Sequence, residues 1–179
     1  FGLAGRCFHA PVIRSVSGLR LKTVVQRRGN LARETLPDVS VVRDMDELLS
    51  DREIRLVVIA TPNDSHYGLA RRCLMAGRDV VVDKPFTVTS DEARDLIQIA
   101  GAQRRLLSVY HNRRFDGDFL TVRGLIARGA LGRVVRLESR YDRYRPALRP
   151  ASWRESDVPA GGVLYDLGPH LIDQALALF

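Results

Sequence analysis

VVVDKPF, residues Val80–Phe86, sets three β-branched residues directly against an acid, a lysine and a proline. LRLKTVVQ (Leu19–Gln26), RLVVIATP (Arg55–Pro62) and RLLSVYH (Arg105–His111) are likewise short and rich in Val, Leu and Ile. Most of these segments lack polar alternation, as expected of parallel strands covered on both faces. Helical patterns lie between them. TVTSDEARDLIQIAGAQRR opens with a Thr89-x-x-Glu92 capping box, and Ala93, Leu96, Ile97 and Ala100 then share one face. The segment from about Ser65 closes at Gly77, in the position of a C-cap glycine.

Strands alternating with helices as far as Tyr110 predict an α/β fold with an open, doubly wound parallel sheet. The pattern then changes. After an amphipathic helix over about Asp116–Arg128, VVRLESRYD (residues 134–142) sets Val135, Leu137 and Tyr141 against Arg136, Glu138 and Arg140, the period of a strand with one wet face. Residues 1–114 are therefore expected to form one α/β domain and residues 115–179 to begin an α+β domain. FGLAG at the start has no strand before it, and DQALALF stops inside an apolar helix pattern. The natural protein is expected to extend in both directions, with the first, central strand of the sheet lying ahead of Phe1.

The chain of 179 residues, 45% hydrophobic, can bury one sizeable core. Its apolar runs fall far short of the roughly 20 residues that span a bilayer. Cys7 and Cys73 lie in helical patterns without a CxxC or a metal-ligand spacing, which predicts reduced core thiols and a cytoplasmic protein. The net charge of +7 raises a nucleic-acid partner, but the arginines are dispersed among Asp and Glu rather than gathered into a basic helix or interleaved with aromatics. The expected partner is a small molecule, with neither nucleic acid nor membrane involved.

The chemistry concentrates at strand ends. In FGLAGRCFHAP, Gly2 and Gly5, with Leu3 and Ala4 between them, have the spacing of the second and third glycines of a dinucleotide-binding G-x-G-x-x-G turn. An ordinary glycine turn is the alternative. Where an acid would bind the ribose 2′-hydroxyl of NAD, the sequence has Gln26, Arg27 and Arg28, whose guanidinium groups suit the 2′-phosphate of NADP. A pair of solvated arginines is the duller reading. ATPNDSHY places Ala60, Thr61, Pro62, Asn63 and His66 at the carboxyl edge of a buried strand, where doubly wound sheets bind ligands, and Asp83 and Lys84 end the next strand at the same edge. Among 28 basic residues only Lys22 and Lys84 are lysines, so a strand-end lysine points to a compact, tunable ammonium, against the alternative of a solvated loop side chain.

AGGVLYDLGPHLID spaces Asp166 and His170 four apart, on one face of a helix beginning near Leu164, with Asp173 a turn later. Such a pair can orient an imidazole that takes a proton near neutral pH. A helix-start carboxylate beside a structural histidine, or a divalent metal site, are the alternatives; no second His or Cys sits at helical spacing, and no metal is expected.

FGLAG, TPNDSH, DKP, YHNRRFDGDF and LYDLGPHLIDQ, in this order, resemble the glucose-fructose oxidoreductase and inositol dehydrogenase (Gfo/Idh/MocA) family through essentially the whole chain. SVYHNRRFD, DRYRP and LYDLGPHLIDQ look most like its NADP-dependent scyllo-inositol dehydrogenase branch. The resemblance implies a Rossmann domain followed by an α+β domain whose large open, mostly antiparallel sheet makes contacts in a homo-oligomer, dimer or tetramer. It implies Lys84, Asp166 and His170 as a catalytic set around a sugar or cyclic polyol, Arg113 lining that site, and Asn112 beside the nicotinamide. Asp83 departs from the glutamate usual in the family's Glu-Lys-Pro motif. The implied function is hydride transfer between NADP, with NAD as the alternative, and a secondary alcohol; a non-catalytic, NADP-sensing regulator of the same fold is the rival.

Overall fold

The computed structural model describes residues 1–142, 144, 146, 147 and 159–179. Five short strands, all parallel to their neighbours, form two groups. β1 (Thr23–Val25) pairs with β2 (Ser40–Val42), and β4 (Asp79–Asp83) lies between β3 (Leu56–Ile59) and β5 (Leu107–Tyr110). No ladder joins the two groups, so the single sheet expected from the sequence is present as a pair and a triplet. Parallel pairing follows from the helices between strands: α4 (His66–Met75) links β3 to β4, and α5 (Ser90–Gln103) links β4 to β5.

The helix signals read from sequence have their physical counterparts. The Thr89 hydroxyl accepts the Glu92 N–H while the Glu92 carboxylate accepts the Thr89 N–H, closing the capping box of α5. At the end of α4, Gly77 adopts φ of +71°, and the Arg78 N–H reaches back to the Cys73 carbonyl, the six-to-one bond of a Schellman stop. Leu74, Cys73, Ala70, Val80, Val82 and Leu96 are wholly buried where α4 and α5 cover β4. Each large apolar side chain buried there contributes roughly 1.5–3 kcal/mol.

Several expectations are corrected. Residues 134–142 form no strand: Val135 is 81% exposed, and among the described residues no neighbouring strand completes its hydrogen bonds, so alternation alone does not make one. Among the described residues this second part consists of α6 (Gly117–Ala127) and α7 (Gly162–Leu178), the latter starting two residues before the expected Leu164. LRLKTVVQ yields only the three residues of β1, and β2, itself three residues long, was too short to leave a pattern. Cys73 is a buried thiol, but Cys7 is exposed, on the turn of π-helix Gly5–His9 that leads into α1 (Ala10–Ser15). Burial pushes the Cys73 thiol up to about 11. Among the described residues no helix is long and apolar enough to cross a membrane.

Candidate active site

Parallel strands deliver their carboxyl ends to one edge, and β4 delivers Asp83 and Lys84 there. Lys84 Nζ donates to the main-chain carbonyl of Asp166 and, at 3.1 Å, to its carboxylate Oδ1. Both side chains are mostly buried, at 15% and 16% exposure, so the pair is shielded from solvent screening. The site thus joins a residue of the nucleotide half to the first turns of α7.

His170, one turn further along α7, is buried, and its Nδ1 has no hydrogen-bond partner among the described residues. Burial first, then the charges of Lys84 and Arg113, push its pKa down to about 4. The imidazole is therefore neutral across the physiological range. His111, at the end of β5, is similarly displaced downward by burial, and its Nδ1 also lacks a partner. With Arg113 Nε, three buried polar atoms of neighbouring residues have no hydrogen-bond partner among the described residues, so this region has hydrogen-bonding capacity to offer.

Arg113 stacks on Tyr141, 5.0 Å from its ring centroid, and donates to Asp116 at 2.7 Å. Asn112 begins the 3₁₀ turn Asn112–Phe115 that carries it. That turn is locked to α7. Arg114 grips the Asp173 carboxylate through both Nε (2.7 Å) and a terminal nitrogen (2.6 Å), and Gln174 donates to the Arg113 carbonyl. Burial opposes the charge on Asp173, but the hydrogen bond from Arg114 together with the electrostatic pull of His111, Arg114 and His170 holds the carboxyl below its ordinary range.

Asp83 faces the opposite way from its neighbour. Its Oδ1 accepts the Lys84 main-chain N–H at 2.8 Å, and its Oδ2 lies 3.5 Å from Nε2 of buried His9. The His9 ring in turn lies against Tyr110, with centroids 4.4 Å apart. Burial would raise the Asp83 carboxyl, yet the His9 contact and the N–H of Lys84 leave it net lowered. The shorter acid is thus held by a histidine from the helix that follows the Gly2–Gly5 turn.

Two residues expected to contact a cofactor directly do something else. His66 is wholly buried, its ring nitrogens 2.8 Å from the Pro85 carbonyl and 3.0 Å from that of Thr61, so it pins two strand-end turns together. Asn63 is 4% exposed and donates to the carbonyl of Ala160, just ahead of α7. Thr61 and Pro62 are exposed at the edge and Ala60 is partly so. The Thr61 hydroxyl is bonded to Ser65.

At the end of β1, Gln26 is also buried: its Oε1 accepts the Ala32 N–H at the start of α2 (Leu31–Thr35), and its Nε2 donates to the Arg28 carbonyl. Arg27 and Arg28 are exposed. Arg43, which follows β2 and was missed in the sequence because nothing local marks it, donates to the carbonyls of Gln26 (3.0 Å) and Gly29 (2.7 Å) and to Asn30 Oδ1 (3.1 Å). At the other side of this region, Gly2 and Gly5 lie in the helical turn that opens the chain, with Leu3 63% exposed and the Arg6 N–H bonded to the Gly2 carbonyl. A Cβ on Gly2 would meet nothing within 4 Å.

A family of sequences described as an oxidoreductase family with an NAD-binding Rossmann fold matches residues 1–111, and the GFO/IDH/MocA C-terminal domain matches residues 119–179. The chain belongs to the GFO/IDH/MocA oxidoreductases. Among curated members of this family, it is 48% identical over 179 residues to the uncharacterized oxidoreductase YdgJ of Escherichia coli, covering 100% of this chain and 51% of that protein. To scyllo-inositol 2-dehydrogenase (NADP(+)) IolW of Bacillus subtilis it is 41% identical, covering 100% of this chain and 50% of that protein. A solved structure from Yersinia pestis superposes with a TM-score of 0.92 at 50% identity, covering 100% of this chain and 50% of that one. The chain spans about half the length of the curated GFO/IDH/MocA relatives it matches.

The residues present fit a dinucleotide. Arg27 and Arg28 form no ion pair with any described carboxylate, leaving guanidinium donors at one loop for an anionic group. For a metal the fit is poor: among the described residues no three His, Cys, Asp or Glu side chains gather as ligands.

Proposed function

We propose that the full-length protein carrying this chain is an NADP-dependent dehydrogenase that interconverts a secondary alcohol of a cyclic polyol or sugar, inositol-like, with its ketone. The observation that carries the reading is the Lys84–Asp166 contact beside a neutral, buried His170. Three groups with complementary proton chemistry are thereby held at one strand end.

The dinucleotide would lie along the carboxyl edge, with Gly2–Gly5, Thr61 and Pro62 along it, Arg27 and Arg28 at the 2′-phosphate, and Asn112 near the nicotinamide. Bound there, the nicotinamide supplies or accepts the hydride. His170, neutral at working pH, takes the hydroxyl proton in oxidation and returns it in reduction. Lys84 spends two N–H groups on Asp166 and keeps a third for the substrate oxygen, where its ammonium stabilises the negative charge that develops. Asp166 fixes that ammonium in place, and Arg113 faces neighbouring hydroxyls.

A division near residues 114 and 115, and homo-oligomeric assembly through the second domain, belong to the same proposal. Sedimentation of the full-length protein tests the assembly. The activity is tested with inositols, glucose and xylose against NADP and NAD, following the reduced cofactor by absorbance. Turnover of at least one cyclic polyol with NADP is expected; none with any of them removes the reading.

A further inference from the structure

The loop that follows β1 is held by two side chains rather than by its own backbone. Its residues Arg27–Asn30 are exposed and carry no regular structure, and Gly29 turns at φ of +74°. Such a segment would sample many conformations unless its polar backbone groups were captured. They are captured by two side chains. Gln26 takes the Arg28 carbonyl, and Arg43 takes those of Gln26 and Gly29 together with the Asn30 side chain.

The capture has an electrostatic consequence. Carbonyl oxygens left facing outward would repel a phosphate, whereas carbonyls turned onto Arg43 leave the outer surface of the loop to the two flanking guanidinium groups. A planar fork suits this task because it meets several acceptors at once in fixed directions, which a lysine ammonium on a flexible stem does not. Arg43 also adds its own positive charge at the base of the loop, with no described carboxylate paired to it.

We propose that Arg43 is the positioning residue for cofactor choice: by holding the Gln26–Asn30 loop with its carbonyls inward, it presents Arg27 and Arg28 to a 2′-phosphate and so sets a preference for the phosphorylated dinucleotide. This rests on the NADP reading above but not on the identity of the alcohol. Arg43 acts through the loop.

The test is direct binding of NADPH and NADH to the full-length protein, by titration of the reduced nicotinamide fluorescence, so that no substrate is needed. Arg43→Gln is expected to weaken NADPH binding at least tenfold while NADH binding moves less than threefold. Arg43→Lys, which keeps the charge but loses the fork, is expected to lose most of the same preference. Asn30→Ala, which removes one of the three acceptors, is expected to lower the ratio about threefold and carries the test if Arg43→Gln does not fold. An unchanged ratio in Arg43→Gln, or wild-type selectivity in Arg43→Lys, overturns the positioning role while leaving the NADP reading intact. A wild-type protein that binds NADH as tightly as NADPH overturns that reading and the role built on it.

Discussion

The ammonium of Lys84 lies 3.1 Å from the carboxylate of Asp166, a residue 82 positions further along the chain. One partner ends a parallel strand and the other sits in the first turns of α7, so their contact ties the strand edge to that helix. Replacing Lys84 by Ala removes the ammonium that Asp166 holds and, in the proposed mechanism, the charge that faces the substrate oxygen. It is expected to lower turnover by about 10²–10³-fold, with the Kd for NADPH changed little. Steady-state kinetics and a cofactor titration check both parts.

The pKa of His170 gives a pH prediction. The unfolded side chain takes its proton near the ordinary histidine value of 6.5, and the folded one at about 4. A group depressed in this way contributes its full share of stability above about pH 6.5 and loses it as pH falls toward 4, an effect on the order of 3 kcal/mol at its limit. Two-dimensional NMR of the imidazole should show His170 neutral at pH 6. In Lys84→Met the midpoint should rise, because a positive neighbour has gone. A midpoint unmoved by that substitution would remove Lys84 as a cause.

Arg114 and Asp173 form a two-point grip between the 3₁₀ turn and α7. Asp173 is buried but about half of the Arg114 side chain is exposed, so Asp173→Asn is expected to cost about 1–3 kcal/mol, below the figure for a fully buried pair. Denaturant unfolding of wild type and variant measures it. The carboxyl is held below its ordinary range, so the contribution is present above about pH 4 and disappears in stronger acid.

The two thiols should differ in reactivity. Cys7 is exposed on the turn beside Gly5, whereas Cys73 is buried with its pKa pushed up to about 11. Iodoacetamide at neutral pH is expected to modify Cys7 alone, and NADPH to slow that labelling if the Gly2–Gly5 turn lies under the cofactor. Mass spectrometry of the alkylated peptides reads both outcomes.

How much of this was legible in the sequence depended on range. β4, α5 with its Thr89–Glu92 box, and the stop at Gly77 are written in residues a few positions apart, and local rules found them. Lys84, Asp166 and His170 were found as separate motifs, each meaningful at its own strand end or helix turn. Hidden were the relationships that only folding creates. His9 beside Asp83, Arg43 bonded to the loop after β1, and His66 spanning two carbonyls have no local signature. From their place at strand ends Gln26, Asn63 and His66 read as ligand contacts, yet each is buried and hydrogen-bonded within the protein. Burial, which spacing does not encode, turned all three toward the protein. The strand expected over residues 134–142 failed for the complementary reason: its alternation was real, but a strand exists only with a neighbour.

The distance in sequence between Lys84 and Asp166 also has a bearing on synthesis. A ribosome releases the residues of β4 and their covering helices long before it releases α7. The nucleotide-binding half can therefore condense around Val80, Val82 and Leu96 while its lysine still faces water without a carboxylate. The contact between Lys84 and Asp166 can form only once α7 has left the ribosome.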